Sequence, residues 1–268
     1  MSLFISSLNT GSNGNCFYIG NSEEAVLIDV GLSCKETELR MQRLGLSMDL
    51  VKAIFITHEH SDHIRGLPVI AKKYQLPVYI TPSTLLSGKQ QLPPHLISEF
   101  TAYKGIKLGN LEVIAFPKKH DAAEPHSFII RCNSITVGVF TDIGQHCDHV
   151  IHHFKQCHAV FLEANYDDDM SNHGRYPYFL KNRIRGGNGH LSNAQALALF
   201  KAHKSTHLSH LLLSHLSKDN NCPDLVQRLF DGHAEGTKII VASRNQETAV
   251  YQIGDAVKTE AQYQNYTA

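Results

Sequence analysis

The stretch Thr57-His58-Glu59-His60-Ser61-Asp62-His63 brings three imidazoles and two carboxylates within one short loop. Ahead of it, Val51, Ala53, Ile54, Phe55 and Ile56 form an apolar run that reads as a buried strand. Behind it, Ile64 to Lys73 reads as a helix, with Pro68 tolerable only near its start. The histidines therefore fall on a strand-to-helix loop, where a rigid scaffold can hold them out into a cleft. His58 and His60, two apart, can turn toward one ion. Asp62 and His63, at the helix entrance, can reach a second ion or cap the helix.

The pattern His-x-His-x-Asp-His behind an apolar strand resembles the metallo-β-lactamase superfamily. That resemblance implies an α/β fold, a four-layer αββα sandwich of two similar ββα-type halves with metal at one edge. Composition is compatible with this. The 268 residues, 42% hydrophobic and 19% charged, can bury a full core. We expect one domain over 1–268, with the tail from about 257 to 268 frayed. Basic and acidic side chains number 25 each, so a polyanionic substrate needs local patches or metal ions. Six scattered cysteines without a Cys-x-x-Cys pair suggest reduced thiols. No signal-peptide pattern and no apolar run of membrane-spanning length is present, so the expectation is a cytoplasmic protein without membrane association.

Other chemistry-bearing residues also stand at the ends of apolar runs. Ala25-Val26-Leu27-Ile28 ends in Asp29, and the run ending at Phe140 leads to Thr141-Asp142. These two similar endings suggest a repeated unit. His120 follows Leu111–Phe116, Glu163 follows Ala159–Leu162, and His215 follows Leu211–Leu213 and Ser214. The turn Gly11-Ser12-Asn13-Gly14-Asn15 reads either as a plain hairpin turn or as a backbone nest facing the cleft, with Asn15 a substrate contact. His149, His152 and His153 share a helix and read as a solvated face more readily than a metal patch. Residues 167–189 read as an irregular insertion. Cationic and aromatic side chains alternate from Arg175-Tyr176-Pro177-Tyr178 through Arg185, and Lys181, Arg183 and Arg185 are either phosphate contacts or solvated charges. Ser192 or Asn193 is a plausible cap for a helix over Ala194–Lys201.

Imidazole and carboxylate without thiolate suit zinc, manganese or iron rather than a closed structural zinc site. The resemblance assigns His58, His60 and His120 to one ion and Asp62, His63 and His215 to another. Asp142 would bridge them, Asp29 would orient the histidine loop from behind, and Asp62 also counts among the catalytic groups. Two divalent ions roughly 3.5–4 Å apart can activate a water and clamp an in-line displacement, so the reaction class is hydrolysis. The superfamily also holds thioesterases of the glyoxalase II type and lactonases, which remain the alternative.

Glu163 with Gly189-His190-Leu191-Ser192-Asn193 and Ser214-His215-Leu216-Ser217 resembles the nuclease branch. There the histidine matching His190 is not a ligand; it pairs with a carboxylate, here Glu163, and serves the leaving oxygen. Gly11-Ser12-Asn13-Gly14-Asn15-Cys16, His120-Asp121-Ala122 and Leu162-Glu163-Ala164-Asn165-Tyr166-Asp167 narrow the resemblance to the YycJ (WalJ) group. These are bacterial metallo-hydrolases similar to DNA 5′-to-3′ exonucleases. The implied partner is nucleic acid, DNA in the first place. The group usually carries serine at Asn13 and glycine at His126, changes expected at the pocket rim.

Overall fold

The computed structural model describes residues 2–254; the expected frayed tail lies outside the described residues. Strands β1 (Leu3–Asn9), β2 (Cys16–Gly20), β3 (Ala25–Ile28), β4 (Val51–Phe55), β5 (Val78–Tyr79) and β6 (Ile97–Ser98) come first. Then follow β7 (Gly105–Leu108), β8 (Leu111–Pro117), β9 (His126–Cys132), β10 (Ile135–Phe140), β11 (Ala159–Glu163), β12 (His210–Ser214), β13 (Lys238–Val241) and β14 (Tyr251–Ile253). The helices are α1 (Cys34–Arg43), α2 (Ser61–Ile64), α3 (Leu67–Tyr74), α4 (Pro82–Gly88), α5 (Asp148–Phe154), α6 (Asp168–His173), α7 (Tyr178–Arg185), α8 (Asn193–His203) and α9 (Pro223–Asp231).

One sheet runs β14-β1-β2-β3-β4-β5-β6 and the other β13-β12-β11-β10-β9-β8-β7. In the first, β1, β2 and β3 are antiparallel and β3 to β6 parallel. In the second, β8, β9 and β10 are antiparallel and β10 to β13 parallel. The halves therefore repeat one plan, which puts Asp29 and Asp142 at matching strand ends.

Period-two alternation explains the layers. Phe17, Ile19, Val26 and Ile28 point between the sheets and meet Phe128, Val137, Val139 and Phe161. Their neighbours Tyr18 and Leu27 point outward to Met41 of α1 and Leu67 and Ile70 of α3. On the second sheet Phe140 and Leu213 point outward to Phe154, Phe200 and Phe230 of α5, α8 and α9. Burying such a side chain contributes roughly 1.5–3 kcal/mol. Strands apolar on both faces thus give four layers. Among the described residues no helix is long and apolar enough to cross a membrane.

Two expectations change. The helix over 64–73 is broken into α2 and α3, because Gly66 closes on the β3 loop. Its N–H donates to Val30 O at 2.9 Å, and a Cβ there would lie 1.8 Å from Leu32 O. Pro68 accordingly falls in the first turn of α3. The 167–189 insertion is helical: Asp167 caps α6 through Met170 N, and Pro177 introduces α7. The C-terminal segment adds β14, which pairs antiparallel with β1.

Candidate metal centre

The strand ends deliver the site. β3 leads to Asp29, β4 to His58, β8 to His120, β10 to Asp142, β11 to Glu163 and β12 to His215. Asp29, Asp142 and His215 adopt left-handed backbone, with φ of 60°, 55° and 60°. Aspartate and histidine tolerate that region better than bulky residues do, and each instance still costs about 1–3 kcal/mol. The sharp turn lifts each side chain out of its sheet into the space between the halves.

Four groups of potential ligand atoms result, each with its atoms within 4.8 Å of one another: the triads His58/His60/His120 and Asp62/His63/His215, and two that overlap them around Asp142, His58/His63/Asp142 and Asp142/Glu163/His190/His215. His60 Nδ1 lies 3.0 Å from His58 Nε2 and 3.3 Å from His120 Nε2. In the second triad, Asp62 Oδ2 lies 3.5 Å from His63 Nε2 and 3.6 Å from His215 Nε2. Asp142 stands between the triads: its oxygens lie 3.2 Å from His63 Nε2, 3.4 Å from His215 Nε2 and 3.9 Å from His120 Nε2.

The far sides of the rings fix which nitrogen faces inward. Thr57 Oγ1 donates to Asp29 Oδ2 at 2.8 Å, so at His58, 2.8 Å away, it is Nδ1–H that donates to Thr57 Oγ1. His63 Nδ1 donates to Asp29 Oδ2 at 2.7 Å and His120 Nδ1 to Gly189 O at 3.0 Å. His215 Nδ1 lies 3.2 Å from Glu163 Oε1 and 3.0 Å from Asn165 Nδ2. In all four rings Nε2 faces the centre, and that of His63 also lies 3.0 Å from Asn15 Nδ2. His215 Nε2 and Asp142 Oδ2 are buried without a hydrogen-bond partner, which an ion would satisfy. This donor set fits divalent metal.

Electrostatics divide the rings. Burial pushes His58 well below the usual imidazole range, His60 down and His120 to about 4, so these three are neutral. Burial also opposes charge on His63, but Asp142, Asp29 and Asp62 together lift it to about 10. His215 is likewise raised: burial opposes its charge and Asp142, Asp62 and Glu163 prevail. Burial disfavours the Asp142 carboxylate, yet His215 and His63 hold it well below the ordinary range.

Behind Asp142, Glu163 is fully buried and accepts from Ile143 N at 2.7 Å and Leu191 N at 3.2 Å. His190 Nδ1 donates to Glu163 Oε1 at 2.7 Å. Burial works against the Glu163 carboxylate, but His190 and His215 bring it down to about 2. His190 lines the cleft of about 240 Å³ with His60, Asp62, Asp142, Arg183 and Tyr176.

Asn15 departs from expectation. It is fully buried, with Oδ1 taking Gly11 N at 2.8 Å and Nδ2 donating to Asp62 Oδ2 at 3.1 Å, so it positions Asp62 and cannot touch substrate. Lys181 donates to Asn172 O and Arg185 to Ser171 Oγ, both inside the insertion. Arg183 alone of the three lines the cleft, paired with Asp121 at 2.5 Å. His126 is buried against Phe100 rather than at the rim. His153 stacks on Phe116 and His149 meets the Tyr103 hydroxyl, so that helix face is partly packed. Thr57, Lys118 and Asn165 went unnoticed in the sequence. Lys118 is buried and donates to Thr141 O at 2.8 Å; Asn165 donates to His215 O at 2.8 Å. Only the neighbouring motif residues signal them.

A family model described as a beta-lactamase superfamily domain matches residues 24–216. The chain belongs to this superfamily. Exodeoxyribonuclease YycJ of Bacillus anthracis is 36% identical over 230 residues, covering 85% of this chain and 87% of that protein. Exodeoxyribonuclease WalJ of Streptococcus pneumoniae serotype 2 is 31% identical over 225 residues, covering 81% and 83%. The metallo-beta-lactamase fold protein YhfI of Bacillus subtilis superposes with a TM-score of 0.72 at 15% identity, covering 94% and 99%, a likeness of fold. The superfamily fold and the His/Asp cluster agree on a site for divalent metal ions.

Proposed function

We propose that the chain is a phosphodiesterase that holds two divalent transition-metal ions and degrades nucleic acid, DNA before RNA, as a 5′-to-3′ exonuclease. The observation that carries this reading is the His190–Glu163 pair, which lies at the cleft beside both triads. His58, His60 and His120 would hold one ion and Asp62, His63 and His215 the other, with Asp142 shared. When bound, such ions supply Lewis acidity and an activated water at neutral pH. The protein's own contribution is at the departing side. Glu163 fixes the His190 ring through Nδ1, and Nε2, which engages no protein group among the described residues, delivers a proton to the leaving oxygen. An alkoxide departing from phosphate needs that proton. A thioester, whose thiolate departs without protonation, does not need this pair.

The names of the two exodeoxyribonuclease relatives support DNA and attack from a strand end. Six free thiols support a reducing, cytoplasmic setting. The test is His190→Ala. DNA cleavage should slow by about 10²–10⁴ while two ions stay bound and the melting temperature holds. A nitrophenyl phosphodiester, whose leaving group needs little protonation, should slow far less. Equal slowing of both substrates, or loss of metal, would remove His190 from the acid role. Glu163→Gln is the less clean variant, since Glu163 also holds His215.

A further inference from the structure

A second cavity of about 230 Å³ lies beyond the Gly11 turn, close in size to the metal cleft. The two share a wall: His215 lines the first, while Leu216, Ser217 and Thr10 line the second, and Thr10 Oγ1 accepts from His215 N at 2.8 Å. Arg244 stands at the partition. Its Nη2 lies 3.5 Å from Ser12 Oγ, which belongs to the metal cleft, and its backbone oxygen is held by Asn13 Nδ2 at 2.6 Å. Arg244 Nη1 is shielded from solvent without a hydrogen-bond partner, and the guanidinium has no carboxylate partner among the described residues. Lys218, also lining the cavity, is exposed and makes no hydrogen bond or ion pair among the described residues. The nearby Asp219 carboxylate accepts from the Tyr176 hydroxyl at 3.0 Å. Leu216, Pro223, Val241 and Ala242 give an apolar floor.

We propose that this cavity binds one nucleotide of the substrate strand adjacent to the bond being cut, with its phosphate on Arg244 and Lys218 and its base on that floor. Resting on the phosphodiesterase reading, it adds where the strand is gripped. An apolar floor beside two cations free of carboxylate partners matches a base joined to a phosphate, and the shared wall sets it one step along the strand.

The experiment compares wild type with Arg244→Ala and Arg244→Lys, all metal-loaded. For a single-stranded oligonucleotide, Arg244→Ala should raise KM about tenfold, what one charge-assisted hydrogen bond contributes, and lower the salt slope of binding by about 1. Arg244→Lys should recover part of the loss. The KM of bis(nitrophenyl) phosphate, which is too short to span both cavities, should move far less. Deoxyadenosine monophosphate, titrated calorimetrically, should bind Arg244→Ala about tenfold more weakly than wild type. An unchanged oligonucleotide KM, or equal loss on both substrates, overturns the subsite. If wild type cleaves neither substrate, the phosphodiesterase reading fails instead. The nucleotide titration then still decides the cavity: equal affinity in both proteins overturns it.

Discussion

His63 and His215 each face three acids, of which Asp62 and Asp142 are common to both, and in the absence of metal a proton does the work of a cation. His63 shows the sign. Its folded value of about 10 exceeds the ordinary 6.5, so the charged ring stabilises the metal-free fold fully below pH 6.5. That contribution disappears as pH rises through about 10. The melting temperature of chelator-treated protein should therefore fall between pH 7 and 10 by more than that of metal-loaded protein, whose site no longer depends on those protons. Metal uptake should also release protons, detectable by calorimetry in buffers of different ionisation enthalpy. Parallel melting curves, or uptake without proton release, would contradict this account. At this scale the sequence was legible wherever a polar residue followed an apolar run, as at Asp29, His58 and Asp142. It was misleading at Asn15, whose turn chemistry is local but whose partner Asp62 is far along the chain. No local signal distinguishes a turn asparagine from one that braces a carboxylate.

The insertion shows the same limit one level up. Gly174, Pro177, Gly186, Gly187 and Gly189 punctuate it like a loop, and the short amphipathic faces of α6 and α7 leave little periodicity to read. Folded, α7 presents Leu180, Arg183 and Ile184 to the cleft, while Tyr178 and Phe179 are 79% and 73% exposed. The three cations consequently differ in what they do. Arg183→Ala should weaken single-strand binding and lower its salt slope by about 1. Arg185→Ala, which removes the bond to Ser171, should instead cost about 0.5–1.5 kcal/mol of stability and leave the slope alone. Filter binding across a salt series, with a melting curve for each variant, separates the two. An equal slope change in both would return α7 to a plain cationic surface. The split between α2 and α3 was illegible for a related reason: the residues that force it, Val30 and Leu32, lie on another loop.

Across the whole molecule, the two sheets meet through one shared core, with Phe17 and Phe161 from opposite sheets only 4.8 Å apart between ring centroids. We propose that they fold as one domain, so that denaturant unfolding followed by circular dichroism and by tyrosine fluorescence traces one transition. The C-terminal segment belongs to that unit. Thr248 N donates to Ser7 O at 2.9 Å, Arg43 pairs with Glu247 at 2.6 Å, and β14 covers the outer edge of β1. Ending the chain after Gln246 should therefore lower the midpoint of that same transition and not create a second one. Two separated transitions in the full chain would mean the halves are independent.

The pairing of β14 with β1 also bears on synthesis. Ile5 faces Tyr251, so one edge of β1 has no native neighbour until nearly the whole remaining chain has been made. At the usual pace of translation that interval is on the order of ten seconds to a minute. Throughout it, β1 offers a free ladder edge to any nascent chain nearby. Slowing the ribosome over the last codons should thus raise the insoluble fraction of the product, whereas the same delay placed before β1 should not.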